Sequence, residues 1–155
     1  MLGIGTQTNN TLSGVTTFPA NASGNFTTVF NGTANNSSFI DSGSNGLFFS
    51  DSALTACLDN TGKPTGWYCQ SPTVSLSAIN EGGVNGTPSG TVSFQIGSAT
   101  ALFNSGNSVF VELGGTMPPA ASGFDWGLPF FFGRNVFVGI EGKSSNLGAG
   151  LYWAY

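Results

Sequence analysis

Phe39-Ile40-Asp41-Ser42-Gly43-Ser44 is the most informative run in the chain. Two apolar residues that favour strands lead into a carboxylate, and Ser-Gly-Ser follows it. This order places an acid at a strand end, with a tight turn behind it and two hydroxyls nearby. From local chemistry alone Asp41 has two roles open to it. It is either a turn aspartate capping backbone N–H groups or the acid of a reactive site, with Ser42 and Ser44 beside it.

The neighbouring sequence extends this picture. Asn31-Gly32 separates the run 26–30 from the run 38–41, which is a hairpin signal, so Asp41 closes a returning strand. Downstream, Gly46-Leu47-Phe48-Phe49 is apolar, and residues 51–58 read as a short helix with Ser50 or Asp51 as N-cap. Residues 73–79 and 92–96 alternate apolar and polar positions and are expected to be half-buried strands. Between them, residues 81–90 hold four Gly and one Pro and form a loop or hairpin tip. Residues 108–113 are expected to be a further strand, and 116–123, with two prolines, a loop. Three phenylalanines at 130–132, an apolar run at 136–140 and another at 151–155 make the C-terminal part the most apolar. No internal repeat of about 20 to 50 residues is present, and no linker-like shift in composition. The expectation is one all-β domain over residues 1–155 with one or two short helices.

Composition removes several classes of function. Only 6% of the 155 residues are charged, with three Lys or Arg against seven Asp or Glu and a net charge of −4. An ordinary soluble domain carries about 25%. The polar surface therefore comes from Ser, Thr, Asn and the 24 Gly, the residues of turns and strands, and long salt-bridged helices are excluded. There is no His, which removes Ser-His-Asp and Cys-His catalysis and His-ligated zinc, so any acid–base chemistry rests on carboxylates. Lys63, Arg134 and Lys143 are the only cations, too few to neutralise a run of phosphates, and nucleic acid is not an expected partner. Arg134 is expected to pair with an acid such as Asp125 or Glu141, and residues 130–132 to serve as core.

Cys57 and Cys69 bracket a segment containing Gly62, Pro64 and Gly66. A local disulfide across a turn is the favoured reading, two buried free thiols are the alternative, and a two-Cys metal site is disfavoured because no His or further Cys completes it. No segment reaches the length of apolar sequence that a membrane helix requires. Residues 1–10 lack a charged leader and an apolar run of signal-peptide length. The expected setting is secreted or periplasmic, the chain being either processed or part of a longer one.

Taken together, residues 39–44 resemble the hydrophobic-hydrophobic-Asp-Thr/Ser-Gly-Ser/Thr motif of the pepsin-like aspartic proteases. In that family the motif's glycine lets the backbone turn beneath the carboxylate. Residues 45–49 are similar to the motif's continuation, and Phe94-Gln95-Ile96-Gly97 to a strand of the family that reads apolar-x-apolar-x-Gly. Residues 126–138 resemble the closing segment of a lobe, in which Trp126 and Gly127 would support the loop threaded by the active-site strand. The resemblance covers nearly the whole chain, at the size of one lobe of a two-lobed enzyme, and extends to bacterial secreted proteins with such lobes. It implies a catalytic role for Asp41, Ser42, Gly43 and Ser44, no metal and no cofactor, and water-mediated hydrolysis of peptide bonds flanked by apolar side chains.

The departures from the family pattern bear on function. One Asp-Ser-Gly is present, whereas the chemistry takes two carboxyl groups sharing a proton. Asp41 would need a second lobe or a homodimer mate. The family's flap tyrosine has no counterpart in residues 81–90, and Asp125-Trp126-Gly127 stands where two apolar residues and a glycine are expected. Three roles follow: one lobe of a two-lobed peptidase, a self-completing dimer, or a non-catalytic secreted β-module that uses the same fold for binding.

Overall fold

Asn31 and Gly32 adopt φ of 49° and 75°, the left-handed backbone that a two-residue hairpin turn requires. In the computed structural model, which describes residues 3–83, 85–118 and 122–155, they join the second and third of thirteen strands. In chain order these are β1 (Thr17–Pro19), β2 (Phe26–Phe30), β3 (Thr33–Ile40), β4 (Leu47–Phe48), β5 (Ala56–Leu58), β6 (Pro64–Glu81), β7 (Ser89–Ser98), β8 (Gly114–Gly115), β9 (Asp125–Trp126), β10 (Phe137–Gly139), β11 (Ser144–Ser145), β12 (Gly148–Ala149) and β13 (Tyr152–Ala154). The two helices are one turn each, α1 (Ala99–Phe103) and α2 (Leu128–Phe131). The chain is all-β, as its turn-rich composition implies.

Alternation decides the largest element. Along β6, Val74, Leu76, Ala78 and Asn80 turn inward while Ser75 and Ser77 face out, and β7 answers with Val92, Phe94 and Ile96. The two strands pair antiparallel, with Leu76 opposite Phe94 and Ala78 opposite Val92. The other edge of β6 pairs with β2, whose Phe26, Thr28 and Phe30 also point inward. The path then runs from β2 through β3 to the two-residue strand β9, which is parallel to β3 and antiparallel to β4. A separate sheet joins β1, β13 and β10, with β13 in the centre.

The core between these sheets is built from aromatic rings. Phe49 stacks on Phe124 at 4.6 Å between centroids, and Phe124 on Trp126 at 4.2 Å. Phe30 meets Phe49 and Phe124 edge to face, and Phe130 meets Trp126 on its other side. One polar group is tied into this core. Trp126 Nε1 donates to Thr28 Oγ1 and Asn80 Oδ1, both at 3.1 Å, Thr28 donates to Asn80 Oδ1 at 2.7 Å, and Asn80 Nδ2 donates to the Tyr155 hydroxyl at 2.8 Å. Thr28 and Asn80 are fully buried, and burial pushes the Tyr155 phenol up to about 12. Four segments remote in sequence are thereby joined by satisfied buried hydrogen bonds, which specify one arrangement of strands.

The structure corrects two expected elements. Residues 51–58 are not a helix: Asp51 Oδ1 accepts from Ala53 N at 2.9 Å and closes a turn, after which β5 pairs with β6. That pairing sets Cys57 beside Cys69, and the two form a disulfide with Cα atoms 4.9 Å apart. Residues 108–113 are not a strand: Val109 and Val111 are exposed, and the segment meets β7 through a single bond, Gly97 N to Glu112 O, with no ladder. The loop expected over 116–123 falls partly outside the described residues. At the closing turn, Pro129 lies in the first turn of α2 and Phe130 is buried, whereas Phe132 is exposed, so the 130–132 run is core only in part.

Trp126→Phe keeps the ring stack but removes the indole N–H and part of the buried volume. It is expected to lower unfolding stability by about 2–4 kcal/mol, measured by urea denaturation with the fold checked by circular dichroism.

Candidate functional site

The site forms where β9 threads between β3 and β4. Asp125 lies opposite Phe39 and Trp126 opposite Ile40 in the parallel pair, and Asp41 N extends the ladder by donating to Trp126 O at 3.1 Å. Leu128 N then donates to Ser44 O at 2.7 Å, fastening the turn after Asp41 to the start of α2. Gly127 is forced by this closeness: a Cβ there would overlap Gly46 O and stand 2.7 Å from Ser44 O. Trp126 fills the core, and Gly127, having no side chain, lets the backbone pass close to Ser44 and Gly46.

Asp41 is exposed at the end of β3. Its Oδ1 accepts from Gly43 N at 2.8 Å, and its Oδ2 from the Ser44 hydroxyl at 3.3 Å. Ser44 N donates back to Asp41 O at 3.2 Å, so the turn is closed by backbone and side chain together. At Gly43 a Cβ would lie 3.1 Å from Asp41 Oδ1, crowding the oxygen that the Gly43 amide holds. Ser42 is exposed at the same turn, and the bonds that orient Asp41 come from Gly43 and Ser44 rather than from it.

Asp125 is the residue that the sequence pattern did not place. Ser44 Oγ lies 2.6 Å from Asp125 Oδ2, a contact across 81 positions of chain. Asp125 is 5% exposed, and its Oδ1 is buried with no hydrogen-bond partner among the described residues. Burial pushes its carboxyl up to about 6, the Ser44 hydrogen bond opposes that rise, and the negative charge of Asp41 adds to it. The signal in the sequence was an acid where the closing pattern asks for an apolar residue, in register with the strand that carries Asp41.

Arg134, expected to pair with Asp125 or Glu141, does neither. Its Nη1 donates to Phe130 O at 2.8 Å and its guanidinium lies over the Phe130 ring at 4.8 Å, which caps α2. The glycine-rich tip between β6 and β7 lies against β1, with Gly83 N reaching Pro19 O at 3.4 Å. Tyr68 is a core residue whose hydroxyl donates to Phe49 O at 2.6 Å and accepts from Asp51 N.

A cavity of about 560 Å³ opens beside Asp125. Phe39, Phe48, Met117 and Pro118 give it apolar walls, and Asp125 is the ionisable residue among its described lining. The arrangement therefore offers an exposed carboxylate held by two donors, a second carboxyl reached through one hydroxyl, and an apolar recess beside that second carboxyl.

A family model described as "Protein of unknown function (DUF3443)" matches residues 1–155. No curated protein and no solved structure matches the chain. Among the described residues no helix is long and apolar enough to cross a membrane.

Two outcomes test this geometry. Gly127→Ala, which drives a methyl group into backbone oxygens, is expected to destabilise the fold by about 3 kcal/mol in a urea titration. Asp125 binds its proton more tightly folded than unfolded, so its contribution to stability is present below the unfolded value of 3.8 and is lost as pH rises through about 6. Asp125→Asn, which mimics the neutral acid, should flatten the pH dependence of the melting temperature across that window. It should also raise stability at neutral pH by on the order of 1 kcal/mol.

Proposed function

Since the chain belongs to the DUF3443 family, whose description assigns no activity, function has to be argued from the site, and we propose a pepsin-like aspartic peptidase lobe. It contributes Asp41 to peptide-bond hydrolysis, with the second catalytic carboxyl supplied by another lobe or by a homodimer mate. The observation that carries this reading is the state of Asp41. It is an exposed carboxylate at a strand end, bound on one oxygen by Gly43 N–H and on the other by the Ser44 hydroxyl, with the supporting strand β9 paired alongside.

Within that reading the chemistry is general acid–base catalysis by water. One carboxylate of the pair removes a proton from the attacking water, and the other, protonated, polarises the scissile carbonyl. The Gly43 and Ser44 donors hold the Asp41 carboxylate in one orientation. The apolar recess formed by Phe39, Phe48, Met117 and Pro118 suits an apolar side chain beside the scissile bond. A polypeptide is then the substrate class, and the chemistry calls for no metal and no cofactor. Among the described residues the outer edge of β10 in the three-stranded sheet has no partner strand and offers backbone groups to which a second lobe or second copy can add a strand. The Cys57–Cys69 disulfide favours an oxidising compartment, periplasmic or extracellular.

Proteolysis of an unfolded polypeptide near pH 4, assayed alongside the solution mass by sedimentation, tests the proposal. Asp41→Asn should keep the fold and lose at least about 1000-fold in rate, and activity should track the assembled species. Cleavage unchanged in Asp41→Asn, or absent from every assembled form, would instead leave a β-module used for binding.

A further inference from the structure

Ser44 stands between two carboxyl groups with a single hydroxyl hydrogen. Its Oγ is 3.3 Å from Asp41 Oδ2 and 2.6 Å from Asp125 Oδ2. If both acids were ionised, one of these contacts would be oxygen against oxygen with no hydrogen between them, and the 2.6 Å contact is the shorter. One additional proton satisfies both contacts. Placed on Asp125 Oδ2, it is donated to Ser44 Oγ, and the Ser44 hydrogen is free to point at Asp41 Oδ2.

The surroundings choose Asp125 as the holder. Its Oδ1 is buried and has no partner among the described residues, which a neutral carboxylic acid tolerates as a carbonyl oxygen and an ionised carboxylate does not. Asp41, in contrast, is exposed and has its Oδ1 on a backbone N–H. The neighbours of Asp125 supply no compensating cation. β3 and β4 carry no titratable side chain, the turn after β3 brings only Asp41, and the cavity lining adds Asn25, Ser37, Met117 and Ser122. Arg134 is engaged by Phe130.

We infer that Asp125 is a proton-holding partner of Asp41 inside one lobe, linked to it through the Ser44 hydroxyl. The transfer is balanced. The Asp125 O–H bond breaks as its proton joins Ser44 Oγ, the Ser44 O–H bond breaks as its proton joins Asp41 Oδ2, and Asp125 is left as the carboxylate. The hydroxyl is restored and net charge does not change. Asp125 acts on Asp41 through Ser44 and is a positioning residue. Its use in hydrolysis rests on the peptidase reading of Asp41, but the proton link does not, so the two fail in different experiments.

The test is NMR titration of the ¹³C-labelled carboxyl carbons of Asp41 and Asp125 in the intact chain from about pH 3 to pH 8. The expected result is an Asp125 midpoint near 6 and a second inflection of the Asp41 carbon at that same midpoint. Ser44→Thr, which keeps a hydroxyl, should preserve the second inflection, and Ser44→Ala should shrink it by about threefold or more. An Asp125 midpoint in the ordinary carboxylate range overturns the proposal, and so does an Asp41 response of equal size in Ser44→Ala, which would show through-space repulsion alone. If Ser44→Ala does not fold, the wild-type curve still decides: an Asp41 carbon with no inflection at the Asp125 midpoint rules the link out.

Discussion

Asp125 and Trp126 are neighbours in a two-residue strand, so their side chains leave it on opposite faces. One face is the aromatic core and the other is the turn that carries Asp41. Trp126 is fully buried and bonded to Thr28 and Asn80, which fixes where β9 sits in the sheet. With β9 fixed, its backbone receives Asp41 N, Gly127 passes close beneath Ser44, and Asp125 has only one place to go. The site is thus held by core packing rather than by its own polar contacts, which are few.

This dependence suits a chain with so little charge. Only three basic residues exist, and none is spent on stabilising the acids at the site. Asp41 is instead stabilised by dipoles, an amide N–H and a hydroxyl, whereas Asp125 is held where its charged form is disfavoured. The two carboxyl groups thus differ in their surroundings, Asp41 exposed and Asp125 buried. Stacked Phe49, Phe124 and Trp126 make a rigid floor under a polar turn.

Much of this was legible in the sequence, for identifiable reasons. The hairpin at Asn31-Gly32, the alternation in β6 and β7 and the strand-end position of Asp41 are local signals, and local physics decided them. The disulfide followed from spacing and was favoured over free thiols. The segment 51–58 is ambiguous from sequence because an aspartate before Ser-Ala-Leu caps a helix and closes a turn equally well, and the pairing of β5 with β6, which brings Cys57 to Cys69, decides it from a distance. Residues 108–113 carry the apolar residues of a strand, but such composition does not report a partner to bond. The place of Asp125 at the site is not a local signal, because its contact is with Ser44, far away in sequence, and Arg134 offers a nearer ion pair that the fold does not make. The acid standing at an apolar position was the one visible sign.

Hydrogen exchange at three protons tests most directly whether core and site form one unit: the Trp126 indole N–H, the Asp41 amide on Trp126 O and the Leu128 amide on Ser44 O. If β9 carries the site, all three should exchange only through global unfolding, with a common opening free energy that matches the denaturant value. Asp41 and Leu128 amides that exchange orders of magnitude faster than the indole would show the turn opening on its own, and would contradict the account.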